Sequence, residues 1–173
     1  VGRLVEQKDQ LTLLKAINHI KNKVNVNLLI VGEGKNKNIL LEYIKKNNLQ
    51  KIIKIKKYTN NPYPYIKSSD IFVLSSLFEG LPNVLLEAIV LSCFVISSNC
   101  PTGPSEILDK GKGGLLYNVG DYKNLANKIF FYLSHKNQCA KKLMFARKRL
   151  KRFDLNINLN KFLKIVKQIN KLS

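Results

Sequence analysis

Residues 71–88 read IFVLSSLFEGLPNVLLEA, and this stretch decides the fold class. Ile71 to Ser75 is a short apolar run of β-forming residues, which is typical of a strand buried on both faces of a parallel sheet. A polar loop from Ser76 to Gly80 follows, and Pro82 suits the first turn of a helix because its φ angle is already helical. Apolar residues then recur at helical spacing to about Leu91. The stretch therefore predicts a strand, a loop and a helix.

The start of this helix predicts an anion site. Unpaired amide groups and a partial positive charge make a helix start a natural place for a phosphate. Glu79 comes just before that start, and Glu87 lies one turn beyond Asn83. Carboxylates do not bind phosphate, but they accept hydrogen bonds from sugar hydroxyls. Two of them beside one phosphate site predict a ligand with a diphosphate between two sugars, which is the layout of a nucleotide sugar.

Strands and helices alternate along the rest of the chain, as a doubly wound sheet requires. Asp9 and Asp121 are placed to cap the first and the last helix of this alternation. We predict a Rossmann-like α/β fold with a doubly wound parallel sheet. The predicted strands cover residues 26–31, 52–55, 71–75, 94–98 and 114–117, and residues 1–4 are predicted to be the end of a further strand. The candidate ligand residues all follow the carboxyl ends of strands, where ligands bind in open α/β sheets.

The composition fits one α/β domain. The 173 residues carry 30 Lys and Arg against 11 Asp and Glu, a net charge of +19. The basic residues are nearly all Lys, mixed with Asn and Ile, which indicates a genome rich in A and T as much as a binding face. A basic nucleic-acid-binding module stays open as an alternative, although the chain has no zinc-finger spacing and no aromatic-basic motif for single-stranded RNA. We expect no nucleic-acid partner.

The sequence also favours a cytoplasmic protein. It has no secretory leader and nothing near the roughly 18 apolar residues that a membrane span needs. Its three cysteines, Cys93, Cys100 and Cys139, lack the spacing of a metal site or a disulfide framework. We therefore expect reduced thiols and no bound metal.

Four segments, taken in order, closely resemble the retaining GT-B glycosyltransferases of the family 4 "group 1" type. They are Val1 to Leu4 with Lys8, Asn61 to Asp70, Phe78 to Ala88 with its two glutamates, and Cys100 to Ile107. The resemblance covers about residues 1–130. It implies the C-terminal, donor-binding half of a GT-B fold.

The resemblance implies a role for each candidate residue. Arg3 and Lys8 would hold the donor diphosphate, Glu87 the ribose hydroxyls, and Glu79, as the catalytic residue, the donor sugar. The other residues implied to bind substrate line the same pocket or the loop that passes the base. They are Gly34, Tyr58, Thr59, Gly80, Leu81, Pro82, Asn83 and Val84.

The implied reaction moves a sugar from a nucleotide sugar to a glycan or a lipid-linked acceptor, with retention of configuration. No metal or other cofactor is implied, because the basic pair and the helix start stabilise the leaving diphosphate. The acceptor would bind a second, N-terminal domain that lies outside this chain. We therefore expect residues 1–135 to form the donor domain, residues 136–173 to add its C-terminal helices, and the chain to be inactive alone. Another GT-B enzyme, such as a nucleotide-sugar epimerase, stays open as an alternative.

Three local features carry further expectations. Ser92 and Phe94 stand where the family often has a Gly and a Pro before the next strand, so the turn there must be built otherwise. Residues 140–153 predict a basic amphipathic helix, which either contacts an anionic membrane or presents a solvated face. Residues 158–172 predict an apolar-striped helix whose stripe is partly exposed in this chain.

Overall fold

The computed structural model describes residues 1–169. Its helices and strands alternate along the chain as predicted. The helices are α1 Gln10–Ile20, α2 Lys37–Lys46, α3 Tyr63–Lys67, α4 Asn83–Val90, α5 Pro104–Ile107, α6 Tyr122–Ser134, α7 Lys136–Arg149 and α8 Leu155–Ile169. The strands are β1 Leu28–Val31, β2 Ile53–Lys56, β3 Ile71–Leu74, β4 Phe94–Ser98 and β5 Leu115–Tyr117. Short 3-10 turns cover Glu6–Lys8 and Leu150–Phe153.

All strand pairing is parallel, which confirms the predicted fold class. In the described part of the chain the strands form two sheets, β1-β2 and β3-β4-β5. The predicted strand end at Val1–Leu4 is extended backbone rather than an assigned strand. The Gly2 amide donates to Val31 O at 3.0 Å and the Leu4 amide to Glu33 O at 2.8 Å, so this segment continues beside the end of β1.

Helices cover both faces of the larger sheet. All five residues of β4 are buried, and neighbours alternate between two apolar clusters. Phe94 and Ile96 join the cluster that contains α1 and α6, whereas Val95 joins the one that contains α4. A strand buried on both faces between helix layers is what a run of β-branched and aromatic residues predicts.

Side-chain caps fix two of the helix starts where they were expected. Asp9 Oδ1 accepts from the Thr12 amide at 3.2 Å and Asp121 Oδ1 from the Asn124 amide at 2.9 Å. The missing glycine after α4 is replaced by Ser92, which takes a left-handed φ of 62° and lets the Cys93 amide donate to Ala88 O at 2.9 Å. The turn is thus built by a serine in a conformation that glycine adopts more easily.

The C-terminal region forms the two predicted helices, but the helix limits differ from the predicted ones. The basic stretch forms α7 and the 3-10 turn after it, and α8 begins three residues before the predicted start at Asn158. The predicted end of that helix at residue 172 lies outside the described residues. No residue of Leu155–Ile169 is buried, and Leu155, Phe162 and Ile169 are largely exposed, as expected. No helix within residues 1–169 has both the length and the apolar character needed to cross a bilayer.

Candidate functional site

The candidate site lies on the loops that follow the strands. Residues 32–34 follow β1, residues 57–59 follow β2, residues 75–83 follow β3 and residues 99–103 follow β4. Parallel pairing puts the carboxyl ends of neighbouring strands at one edge, which is where open α/β sheets bind ligands. The Gly32 amide donates to Lys56 O at 3.0 Å and joins the first two of these loops.

Lys8 and Glu79 form the centre of the site. Lys8 Nζ lies 2.6 Å from Glu79 Oε1, and the Ser76 hydroxyl donates to the same oxygen at 2.5 Å. The Glu79 side chain is only 8% exposed and that of Lys8 is 21% exposed. Two residues that are 71 positions apart in sequence therefore neutralise each other in a largely desolvated place.

Backbone and side-chain hydrogen bonds hold the two loops that carry this pair. The Leu77 amide donates to Gln7 O at 2.8 Å, and Gln7 Nε2 donates to Phe78 O at 3.0 Å. The Ser75 hydroxyl donates to Lys8 O at 2.7 Å. Sequence reasoning placed Gln7, Ser75 and Ser76 in the candidate segments but assigned them no individual role. The available signal was the pair of serines directly after an apolar strand, where small polar side chains have backbone partners within reach.

The turn after β4 packs on the Glu79 loop from the other side. The Thr102 hydroxyl donates to Glu79 O at 2.5 Å. Gly103 has a φ of 77°, and a Cβ there would lie 2.0 Å from Gly80 O and 2.5 Å from Pro82 Cδ. Only glycine permits this approach, so the turn supports the loop and the start of α4.

The start of α4 leaves amide groups free for an anion. The helix begins at Asn83 with Pro82 before it, as predicted, and no side chain caps it. Pro82 is buried, whereas Gly80, Leu81 and Asn83 are exposed. The first amides of an uncapped helix carry partial positive charge and point away from the helix body, so this end can hold a phosphate. Val84 is half-buried, packed against the core.

Glu87 and Arg3 remain available to a ligand. Glu87 is half-buried on α4, and within residues 1–169 its carboxylate forms no ion pair or hydrogen bond that would occupy it. Arg3 is exposed, and its guanidinium is likewise without an ion pair in that range. The backbone of Arg3 is fixed, since Gln10 Nε2 donates to its carbonyl at 2.8 Å.

The remaining predicted residues lie on the β1 and β2 loops. At Gly34, where φ is 155°, a Cβ would lie 2.4 Å from Leu4 O. Its absence lets the β1 loop pack against the segment that carries Arg3. Tyr58 is 69% exposed, and Thr59 bonds with the backbone of Asn61 in the same loop. The structure gives these two residues no contact with the Lys8–Glu79 pair among its described hydrogen bonds.

Buried polar groups below the site are held in their neutral forms. Burial raises the pKa of the Cys100 thiol. Burial also raises the pKa of the Tyr117 hydroxyl, and the nearby acidic groups of Asp9 and Cys100 raise it further. The Ser98 hydroxyl donates to Ser76 O at 2.6 Å and connects β4 to the loop after β3. Within residues 1–169 no three His, Cys, Asp or Glu side chains cluster as metal ligands would.

Comparisons with known proteins bear on the family and the fold. The sequence profile of the family "Glycosyl transferases group 1" matches residues 1–149. An uncharacterized glycosyltransferase of Methanocaldococcus jannaschii is 46% identical over 109 residues, which cover 62% of this chain and 27% of the relative. An N-acetylgalactosaminyltransferase of Campylobacter jejuni that acts on a diphospho-undecaprenol-linked sugar is 34% identical over 125 residues, 72% of this chain and 34% of the relative.

Two solved structures share the fold. A glycosyltransferase from Rickettsia africae superposes with a TM-score of 0.84 at 25% identity, covering 99% of this chain and 47% of that one. The Anabaena protein HepE in complex with UDP gives a TM-score of 0.87 at 20% identity, covering 96% of this chain and 47% of that one. The chain thus spans about half or less of the length of these relatives.

Proposed function

Because the chain belongs to the glycosyl transferases group 1 family, we propose that it forms the donor site of an enzyme that transfers a sugar from a nucleotide sugar. The observation that carries this proposal is that Glu79, paired with Lys8, lies on the loop that leads directly into the uncapped start of α4. That junction offers fixed positive groups beside carboxylates. A diphosphate flanked by two sugars needs that combination.

The leaving diphosphate would bind at the start of α4. The amides of Asn83 and Val84 and the Arg3 guanidinium would stabilise the negative charge that develops on it. The two amides are already in place before the reaction, so little energy is spent on orienting them. We infer that they replace the charge of a metal ion, and that retention of configuration follows from the family resemblance.

The two carboxylates would hold the sugars at either end. Glu79 would contact the donor sugar, oriented by its contacts with Lys8 and Ser76, and Glu87 would accept hydrogen bonds from the ribose hydroxyls. The Lys8 ammonium, 2.6 Å from Glu79 Oε1, fixes the position of that carboxylate in its largely desolvated place. Gly34, Tyr58 and Thr59 would line the part of the site that receives the base.

The acceptor is proposed to bind a second domain joined to this one. The chain spans about half or less of its relatives, and the Campylobacter relative is described as acting on an undecaprenol-linked sugar. We infer a glycan or lipid-linked acceptor, a donor domain formed by residues 1–135 with helices 136–173 attached, and no transfer by this chain alone. Turnover of a nucleotide sugar by the purified 173-residue chain would contradict the last point.

A basic surface on α7 supports peripheral contact with an anionic membrane. Lys142 donates to Gly111 O at 2.7 Å and Arg152 donates to the carbonyls of Glu106 and Ile107, so these two hold the helix to the domain. Lys141 and Lys148 are exposed and available to lipid headgroups. Co-sedimentation with vesicles tests this, and equal binding to neutral and anionic vesicles would contradict it.

A thermal-shift panel of nucleotide sugars tests the proposed donor site. A ligand that binds only the folded chain raises the midpoint of unfolding with its concentration. We expect at least one nucleotide sugar to raise it in the native chain and to raise it less in a Glu87→Gln chain. If a single-stranded oligonucleotide stabilised the chain instead, with an effect that collapses as salt rises, the nucleic-acid alternative would replace this proposal.

A further inference from the structure

The turn after β4 holds a threonine in a backbone conformation that threonine rarely adopts. Thr102 has a φ of 60° and directly precedes Gly103, whose φ is 77°. A left-handed φ is uncommon for any residue with a side chain, and it is a clear outlier for a residue branched at Cβ. Thr102 is exposed, so burial in the core does not hold it there. Such residues persist where their surroundings fix them, and they cluster at functional sites.

The Thr102 hydroxyl contacts the loop that carries Glu79. Its oxygen lies 2.5 Å from Glu79 O and 2.7 Å from Pro101 O. A hydroxyl has one proton and donates to one acceptor at a time, and the Glu79 carbonyl is the nearer of the two. Because Thr102 and Glu79 are 23 positions apart, this bond joins the turn after β4 to the loop after β3.

This bond reaches a part of Glu79 that its other partners leave untouched. Lys8 and Ser76 both contact the side-chain oxygen Oε1. The Ser98 hydroxyl, also on β4, donates to Ser76 O three residues earlier in the loop. Within residues 1–169, Thr102 makes the one hydrogen bond to the peptide group between Glu79 and Gly80. The orientation of that peptide group therefore depends on Thr102.

The orientation of this peptide group decides where the Gly80 amide points. The peptide is trans, so the Glu79 carbonyl and the Gly80 N–H point in opposite directions. With the carbonyl directed at Thr102, the N–H points away from the turn. No hydrogen bond among the described residues uses this N–H, and a Cβ built on Gly80 would meet no atom within 4 Å. The amide is thus a fixed donor with no partner in that part of the chain.

We propose that Thr102 is a positioning residue for the donor sugar. Its hydroxyl fixes the Glu79–Gly80 peptide, so that the Glu79 carboxylate offers an acceptor and the Gly80 amide a donor to neighbouring sugar hydroxyls. A sugar hydroxyl both donates and accepts, so it can use both groups. The inference rests on the proposed function, in which Glu79 contacts the donor sugar. Thr102 acts on the sugar part of the ligand and not on the diphosphate, which the start of α4 would hold.

Four variants separate the hydroxyl of Thr102 from its shape and its backbone conformation. Thr102→Val removes the hydroxyl and keeps the branched shape. Thr102→Gly also removes the hydroxyl but adopts the left-handed φ without strain, so it gives the answer if the valine variant does not fold. Thr102→Ser keeps the hydroxyl. Ser92→Gly is the matched control, since Ser92 has a φ of 62° just beyond the opposite end of α4.

Titration calorimetry with uridine diphosphate, UDP-glucose and UDP-N-acetylgalactosamine measures the effect on the sugar and on the diphosphate separately. For the UDP-sugar that binds the native chain more tightly, we expect about fivefold weaker affinity in Thr102→Val and Thr102→Gly, as loss of one hydrogen bond predicts. The affinity for uridine diphosphate should change by less than about twofold in the same variants. Thr102→Ser and Ser92→Gly should bind all three ligands as the native chain does.

A second readout needs no ligand. The coupling between Lys8 and Glu79 is measured by urea denaturation with Lys8→Met, Glu79→Gln and the double variant, in the native chain and in a Thr102→Val chain. We expect the coupling to fall by about half in the Thr102→Val chain, because the carboxylate is held less well opposite the ammonium. If none of the three ligands binds the native chain, the proposed donor site fails, and this coupling alone decides the role of Thr102.

Three results would overturn the role of Thr102. Equal losses of affinity for uridine diphosphate and for the UDP-sugar would show that the hydroxyl supports the whole loop and not the sugar contact. Unchanged affinity without the hydroxyl, or a loss that Thr102→Ser shares, would show that the bond to Glu79 O has no part in binding. An unchanged Lys8–Glu79 coupling would show that Thr102 does not position Glu79.

Discussion

Glu79 and Glu87 are the same residue type, eight positions apart, in very different surroundings. Glu79 lies in a loop with its side chain 8% exposed, paired with Lys8 and bonded to Ser76. Glu87 lies on the surface of α4, half-buried, with no ion pair within residues 1–169. The difference is that the Glu79 carboxylate already has partners in the protein, whereas the Glu87 carboxylate has none among the described residues.

Variants of these two glutamates distinguish effects on the stability of the fold from effects on ligand binding. Loss of the Glu79 charge leaves the largely desolvated ammonium of Lys8 without its partner. An unpaired charge in such a place lowers the stability of the fold by more than the ion pair itself contributes. Loss of the Glu87 charge leaves nothing in the protein unpaired. Variants of the two residues should therefore differ in which measurement they change.

The largest effect is expected from Gly103→Ala, which removes the support of the Glu79 loop. The new Cβ would clash with Gly80 O and Pro82 Cδ at a left-handed φ. We expect a loss of about 3 kcal/mol in the free energy of unfolding, measured by urea denaturation. Gly120→Ala is the matched control, since φ there is 73° with no atom within 4 Å, and it should cost only about 1 kcal/mol. Equal losses would show that the contact with the Glu79 loop has no energetic weight.

Glu79→Gln is expected to lower the free energy of unfolding by about 2 kcal/mol. For a chain of this size the midpoint of thermal unfolding should fall by roughly 4–8 °C. Lys8→Met should cost a similar amount, and the double variant should cost less than the sum of the two because the lost interaction is shared. Strict additivity would mean that the ion pair contributes nothing to stability.

Glu87→Gln should leave stability within about 0.5 kcal/mol of the native chain, since it breaks no contact in the protein. Its effect should appear in binding, where we expect about tenfold weaker affinity for a nucleotide sugar, equivalent to about 1.4 kcal/mol. Isothermal titration calorimetry measures this directly. The assignment of Glu87 to the ribose fails if the affinity is unchanged.

The smallest effect is expected from Asp121→Ala, a stability change remote from the site. Loss of the cap on α6, where Asp121 accepts from the Asn124 amide at 2.9 Å, should cost about 1 kcal/mol. Nucleotide-sugar affinity should not change. A fall in affinity here would mean that the binding losses of the other variants reflect weakened folding and not lost contacts.

The sequence predicted strand limits best where every residue of the strand is buried. The limits of β4 were predicted without error, and all five of its residues are buried although the last two are serines. β1 is shorter than predicted, since Val26 and Asn27 continue the run in sequence but lie outside the paired register with β2. Ile39 fits the helical stripe of α2 and is nonetheless 54% exposed, because periodicity does not show how far a neighbouring layer extends.

Local sequence indicated the candidate residues of the site but not the contacts among them. Glu79, Asn83 and Glu87 stand out from local sequence, because a strand, a loop and a helix start follow one another there. The Lys8–Glu79 ion pair spans 71 residues and depends on the hydrogen bonds of Gln7 and Ser75, which have no local signature. The division of the strands between two sheets was likewise beyond local patterns, since it depends on which edges find a partner.

The central claim is that the start of α4 holds a diphosphate between Glu79 and Glu87. A crystal structure of the chain with uridine diphosphate, the nucleotide bound in the Anabaena HepE structure, tests it most directly. The account predicts phosphate oxygens about 3 Å from the amides of Asn83 and Val84, with the ribose hydroxyls at Glu87. A diphosphate bound anywhere else on the chain, with the start of α4 left to solvent, would contradict it.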